Sequence, residues 1–547
     1  AYPYRPQDRG FQEVVTHGGG GVGNTPDFWG NNYTGDTYCR NGAWERFDGY
    51  CTDVWFRLGL DFIERQHAQG QPFFCVISTN APHLPHIVPE RYSRPYIEKA
   101  QSDPDAARFF NYPATDQMPK FYGMVSCIDE NLGALRARLR QLGLAENTLF
   151  IFMTDNGSAG GLARDRDQFI THGFNAGMRG GKGTPYEGGH RVPFFLHWPA
   201  AGLTTGRDIT TLTANVDIAP TLLDLCSVPH DAADFHGGSL RPLLLDSSPL
   251  GEGYTGTEAR RPGEGGASNA AHWPARTLVT DSQRLLNPVK WRLSCVMRQE
   301  HGQDGAIAHE WRLVNGRALY DLLGDPEQRV DIATDQPEMV EALRADYESW
   351  WRLVSPRAGE EIPIPIGENN ATVLLTSHDW RRDPDPNHSV GAEEYGDNAR
   401  CVWNQAQVRQ APDGTGYWEI DVARAGRYRL ELRRWPREAN LPLAAGIPGD
   451  LKPYNDSIAD TNGGYGGGRA LPIRRAAVRL SYPVAAGQPD LAADAPVSEP
   501  AVLFDLSLPA GPAHLHTLFT TEDGADVGAY YAYVTPLATG YPPGGGH

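Results

Sequence analysis

The chain has 547 residues, enough for roughly three or four domains, and its 40% hydrophobic and 21% charged residues are those of an ordinary globular protein. A net charge of −18 argues against nucleic acid or an anionic membrane as the main partner, although a local basic cluster can still meet an anionic ligand. The seven cysteines form no CxxC pair, which argues against a zinc cage or redox motif, and no apolar stretch is long enough to span a bilayer. Cys39 and Cys51 are close enough in sequence to pair, whereas Cys75, Cys127 and Cys226 lie in apolar runs and are expected to be buried.

The sequence opens at Ala1 with neither an initiator Met nor a signal-peptide pattern. Thr16 to Asp27 is a glycine-rich loop without the Gly-Lys-Ser/Thr ending of a phosphate loop. It is read as the rim of a pocket with His17 facing substrate, or equally as a flexible loop. Val54, Leu58 and Phe62 recur at helical spacing and predict a helix over 54–66. Phe73 to Thr79 reads as a buried strand that delivers Asn80-Ala81-Pro82-His83-Leu84-Pro85-His86. A histidine held between prolines past a parallel strand is well placed for chemistry; the neutral alternative is packing or capping. Met124, Ile128, Leu132, Leu135, Leu139 and Leu142 mark one face of a helix over 121–142, which Gly143 stops.

Leu149 to Met153 is an unbroken apolar run, expected as a strand buried on both faces of a parallel sheet. It places Thr154-Asp155-Asn156-Gly157 at the sheet's carboxyl end, where open α/β folds bind ligands. Asp155 and Asn156 offer hard oxygen ligands suited to Ca²⁺ or Mg²⁺; alone, Asx-Gly would be turn chemistry. Lys182 sits among Gly180, Gly181 and Gly183 and can face an oxyanion; alone, it would be a solvated lysine. Gly188 and Gly189 lead to a second basic pair, His190 and Arg191.

Val192 to Trp198 predicts another strand, and Asn215 to Cys226 a helix with Asp217 favoured at its positive end and Pro220 in its first turn. Leu250 to Ala275 loses all periodicity and reads as a surface insertion. Short strands follow over 277–312, and Val340 to Val354 predicts a final helix packed on them. Ser355 to Pro365 is proline-rich and opens a linker over 355–371. Short alternating runs at 372–376, 416–422, 426–433, 476–480 and 529–534 predict an all-β sandwich over 372–547. Trp380, Trp403, Trp418 and Trp435 are read as filling its core rather than stacking on sugars, and Gly463 to Gly468 as a turn.

The TDNG strand end followed by Arg179-Gly-Gly-Lys182-Gly-Thr-Pro-Tyr-Glu187-Gly-Gly-His190-Arg191-Val-Pro193 resembles the sulfatase family, as do the Pro82-His83 segment and Leu319-Tyr320-Asp321-Leu322. The resemblance spans about Tyr2 to Ala333. It implies an alkaline-phosphatase-like α/β fold: a mixed, mostly parallel sheet between helices over 1–245, then a small α+β C-terminal subdomain over 246–354. It further implies sulfate-ester hydrolysis by a formylglycine nucleophile beside Ca²⁺, or Mg²⁺. By the same resemblance, Asp155 and Asn156 would be metal ligands, His83 and Lys182 catalytic, and His17, His190 and Arg191 substrate-binding. The Cys/Ser-x-Pro-x-Arg pentapeptide that yields formylglycine is absent; Ser93, Ser227 and Ser498 begin near matches without the arginine. The nucleophile is therefore expected in an N-terminal portion missing from the chain. A sulfated oligo- or polysaccharide is the expected substrate, in the periplasm or outside the cell. The alternatives are a phosphatase or phosphodiesterase of the same superfamily, or a non-catalytic carbohydrate-binding protein.

Overall fold

The computed structural model describes residues 5–17, 22, 29–30, 32–204, 206–245, 276–283, 288–303, 306–357, 360, 362–381, 402, 405–411, 415–451, 467–481, 491–494 and 500–537. The chain forms two compact units, the first from Ala1–Arg94, Gly123–Ile128 and Glu360–His547, the second from Pro95–Tyr122 and Asp129–Gly359.

At the start of the first unit, β1 (Val15–Thr16), β2 (Thr37–Arg40) and β3 (Ala43–Arg46) form an antiparallel sheet. Helix α1 (Cys51–Ala68) follows, longer than its predicted core, and the chain reverses at Gly70 with φ 67°. Its apolar side packs Val54 and Trp55 with Tyr38, Tyr50, Tyr92, Met124 and Cys127. Cys39 and Cys51 are both free thiols, so the pairing suggested by their spacing does not form. Burial raises the Cys51 and Cys127 thiols to about 12, which keeps them protonated and inert.

The run Phe73–Thr79 joins no strand ladder among the described residues. Alternate side chains divide: Cys75 and Ile77 press on Gly59 of α1, while Phe74 and Val76 are 62% and 55% exposed. An apolar run thus reports β tendency, but neither a partner nor burial of both faces.

In the second unit α2 (Glu90–Ser102, from Pro95 onward), α3 (Pro104–Phe109) and α4 (Gln117–Gln141) precede β4 (Phe150–Met153). Helix α4 lends its middle, Gly123–Ile128, to the first unit and ends where Gly143 adopts φ 71°, as its sequence requires. After the β5 (Leu162–Arg164) and β6 (Ile170–Gly173) hairpin comes the single-turn helix α5 (Glu187–His190), then β7 (Phe194–His197). Strand β4 pairs antiparallel with β7, and no parallel partner for it lies among the described residues. Neither strand is buried on both faces; Phe195 is 64% exposed.

Asp217 stands at the start of α6 (Ile218–Leu225), as predicted, and is fully buried. It accepts from the Ala214 and Gly238 amides and pairs with Arg276, which together outweigh burial and hold its carboxyl below the usual range. Cys226, expected to be buried, is exposed because it lies past the last turn of α6. After α7 (Arg241–Leu244) the insertion at 250–275 lies outside the described residues. An antiparallel sheet in the order β11 (Ala318–Asp321), β10 (Ile307–Val314), β9 (Cys295–His301), β8 (Thr277–Thr280) then carries α8 (Pro337–Val354). Leu343 and Tyr347 of α8 pack on Val296, Trp311 and Leu313, the predicted helix-on-sheet arrangement.

The rest of the first unit is the expected sandwich. One sheet runs β12 (Ile364–Ile366), β14 (Tyr417–Val422), β19 (Gly511–Thr521), β16 (Ile473–Ser481), β17 (Leu491–Asp494), with β20 (Asp526–Gly528) also on β19. The other runs β13 (Val373–Thr376), β21 (Tyr531–Pro536), β15 (Gly426–Arg433), β18 (Val502–Leu508); α9 (Gln405–Gln410) lies between β13 and β14 in sequence. Alternate residues of β18 and β19 are buried, as two facing sheets require. Trp380, Trp418 and Trp435 fill the core as read from sequence, and Trp418 donates across the sheets to the Thr376 carbonyl at 2.7 Å. Trp403 lies outside the described residues, as does most of the Gly463–Gly468 turn.

An N-terminal residue seals this core. Trp29 meets Trp435 edge-on at 5.2 Å, and the Arg409 guanidinium lies 4.5 Å from its ring centre. Glu438 accepts the Trp29 amide at 3.0 Å, and Gln405 accepts the Gly30 amide at 2.8 Å.

Candidate functional site

Each unit gathers some of the predicted site residues. In the first, Trp55 of α1 is the common neighbour of two histidine-bearing segments. The His17 ring centre lies 5.9 Å from that of Trp55, and the Trp55 indole donates to the Asn80 side chain at 3.1 Å. The Asn80 carbonyl in turn accepts the His83 amide at 2.9 Å. His83 is exposed, and its Nδ1 lies 2.8 Å from the Leu84 carbonyl. That oxygen can only accept, so Nδ1 carries a proton and Nε2 is the nitrogen left for exchange. His86, by contrast, is buried.

In the second unit, the turn after β4 interlocks with the loop before β7. The Gly157 amide donates to the Gly189 carbonyl at 3.1 Å, and the Lys182 amide donates to the Ser158 carbonyl at 3.0 Å. Glycine permits this approach: a Cβ on Gly157 would lie 1.8 Å from the Gly188 oxygen, and one on Gly189 would lie 2.1 Å from the Thr184 oxygen. Asp155, Asn156, Lys182, His190 and Arg191 are therefore carried by two segments locked together through their backbones. Gly180 and Gly183 hold positive φ, of 84° and 80°, so the lysine rides a turn that favours glycine on both sides.

Asp155 is exposed, and the Asn156 amide nitrogen lies 2.5 Å from its carboxylate, so the two side-chain heads converge. Their donor chemistry fits a hard divalent cation. They supply part of a shell, since such an ion takes about six to eight oxygens. No cluster of three or more His, Cys, Asp or Glu able to hold a metal occurs among the described residues.

The loop is held from behind by a residue to which the sequence reading gave no role. Glu187 is 2% exposed and lies 2.6 Å from the Arg312 Nε on β10. His190 presents Nε2 to the same carboxylate at 3.1 Å, and Arg191, 63% exposed at its side chain, reaches it at 3.5 Å. Burial pushes the Glu187 carboxyl up, but the Arg312 guanidinium and His190 outweigh it and hold the group well below the ordinary carboxylate range. Burial opposes the charge on Arg312 too, and Glu187 outweighs it there. The Glu187 amide donates to the Gln328 side chain at 2.9 Å, and the Gln328 carbonyl accepts from Arg179 at 2.8 Å. Arg179 also stacks 4.0 Å from the Tyr186 ring centre and bonds the Tyr320 hydroxyl at 3.2 Å. An acid followed by two glycines in an otherwise basic loop was the visible signal for Glu187. Nothing local marked Arg312, 125 residues away.

Residues 4–228 match the family model described as Sulfatase. The chain is 30% identical over 195 residues to an N-acetylgalactosamine-6-sulfatase of Canis lupus familiaris, covering 36% of this chain and 32% of that one. It is 26% identical over 218 residues to an ulvan-active sulfatase of Formosa agariphila, covering 40% of each. The chain thus spans between about a third and two fifths of these relatives' length. Among solved structures, Ps i-CgsB in complex with k-i-k-neocarrahexaose aligns with a TM-score of 0.48 at 20% identity, over 65% of this chain and 70% of that one.

Proposed function

Since residues 4–228 belong to the sulfatase family, we propose that the protein hydrolyses sulfate esters of a carbohydrate. The observation that carries this reading is the backbone interlock that sets the Asp155-Asn156 pair and Lys182 on joined segments. A developing anion needs preorganised positive charge, and a lysine on a glycine-framed turn supplies it with little reorganisation. Lys182 would hold a sulfate oxygen and stabilise the leaving alkoxide. His83 would protonate the departing oxygen from Nε2, with Nδ1 fixed on the Leu84 carbonyl. Arg191, His190 and His17 would bind the rest of the substrate.

Asp155 and Asn156 would hold Ca²⁺, which when bound would neutralise charge on the sulfate. The attacking group in this reading is a formylglycine contributed from outside the 547 residues, which contain no Cys/Ser-x-Pro-x-Arg pentapeptide. The carbohydrate substrate is supported by relatives described as an N-acetylgalactosamine-6-sulfatase and an ulvan-active sulfatase. A periplasmic or secreted location follows from such a substrate; no helix among the described residues is long and apolar enough to cross a membrane.

The test is a hydrolysis screen with the protein purified from its source. Sulfated oligosaccharides are compared with aryl sulfates and with phosphate mono- and diesters, before and after chelation and calcium return. Release of sulfate from oligosaccharides, lost on chelation and restored by calcium, is expected. Turnover confined to phosphate esters, or none at all, would overturn the reading.

A further inference from the structure

We propose that Glu187 is a positioning residue: paired with Arg312, it pins the loop that carries Lys182, and it acts on turnover through that lysine. The inference rests on the sulfatase reading for its kinetic half only. Three observations carry it. Glu187 and Arg312 are 2% and 5% exposed, so the pair lies out of bulk water, where Coulomb attraction is strongest and geometry is held tightly. Glu187 is also the point where the loop's contacts meet: its amide is tied to Gln328, its carbonyl accepts the Arg191 amide, and its carboxylate receives Arg312, His190 and Arg191. Next to it, the Gly188 amide donates to the Arg179 carbonyl and the Gly189 carbonyl accepts the Gly157 amide, the link to the Asp155 turn.

The ring of His190 belongs to this pin. With Nε2 committed to Glu187, its Nδ1 is buried without a hydrogen-bond partner among the described residues. The carboxylate therefore sets the ring's tautomer and its facing. Loosening the pin frees the turn on which Lys182 sits, and displacement of a binding group by about 1 Å can cost a hundredfold in rate.

The test uses the full chain. Glu187→Gln alone leaves Arg312 buried without its charge partner and can misfold, so Glu187→Gln/Arg312→Met, which removes both charges, is made beside it. Hydrogen exchange reads the structural half: amides of 181–191 lose at least tenfold protection in the double variant while β10 keeps its own. Unchanged protection of the loop would overturn the pin, whatever the enzyme does. Kinetics reads the functional half: kcat of the double variant falls by tenfold or more with KM changed less. In a Lys182→Ala background the same pair of substitutions adds little further loss. A loss that multiplies in full upon Lys182→Ala would show that Glu187 does not act through the lysine. If the wild-type protein cleaves no sulfate ester, the sulfatase reading fails while the exchange result still decides the pin.

Discussion

Gly157→Ala puts the interlock of the two site segments to a direct test. The new Cβ would lie 1.8 Å from the Gly188 oxygen and 2.7 Å from its carbon. A carbon and a carbonyl oxygen need about 3.3 Å, so the turn and the loop must separate by roughly 1.5 Å. Both sides of the clash are backbone, and no side-chain rotation relieves it. The bond from the Gly157 amide to the Gly189 carbonyl would be lost as well. Overpacking of this kind costs about 1–3 kcal/mol and the lost hydrogen bond about 1 kcal/mol, giving a destabilisation of roughly 2–4 kcal/mol. A displacement on that scale next to Lys182 should also lower turnover by about a hundredfold. Urea unfolding gives the first number and sulfate release the second. Gly183→Ala is the control: it meets no atom within 4 Å but must adopt φ 80°, so about 1–2 kcal/mol of strain is expected. Equal stability and activity of Gly157→Ala and wild type would refute the interlock.

Other expectations follow from the same contacts. If Lys182 meets the sulfate as proposed, Lys182→Ala should lower kcat by about a hundredfold or more; steady-state kinetics decides this. The Glu187 carboxyl titrates lower when folded than unfolded, so the folded state binds fewer protons. Its stabilisation is complete above an unfolded value of about 4.3 and is lost as pH falls from there toward the folded value. Melting temperature should therefore drop below that pH, and less steeply in Glu187→Gln/Arg312→Met; parallel profiles would contradict the ion-pair account. Trp29→Ala removes an edge-on ring contact and a cation–π contact and should cost about 1–3 kcal/mol in urea unfolding. Trp418→Phe removes the hydrogen bond to the Thr376 carbonyl inside the sandwich and should cost about 1 kcal/mol by the same measurement.

Where the sequence was informative, a local cause can be named. Strand β15 occupies the predicted Gly426–Arg433, because apolar and polar residues alternate there between turns. Helix α4 could be read because its apolar stripe is regular and Gly143 ends it. In the sequence the glycines around Lys182 read as room for a ligand; that they instead let the Asp155 and Lys182 segments meet backbone to backbone is visible only in the fold. Pairing was harder to read. Pro365 suggested linker, yet it sits in β12, at the edge of the sheet where proline's missing donor does no harm. Strands β17 to β20 passed unnoticed, among them β19, although its neighbours on either side were seen. Arg312 and Glu187, and likewise Trp29 and Trp435, are joined only by the fold, and no window along the chain contains both partners.

The anchoring of Trp29 and Gly30 has a consequence for biosynthesis. Their partners Glu438 and Gln405 lie 409 and 375 residues downstream. At a synthesis rate of about 5–20 residues per second, Trp29 and Gly30 wait roughly twenty to eighty seconds for them to be translated. Within that interval the stretch holding Asp155 and Lys182 is made, while Trp29 and Gly30 still lack Glu438 and Gln405. The seat of Trp29 and Gly30 is thus completed only after more than four hundred further residues have been translated, and the edge of the sandwich core that Trp29 covers closes late.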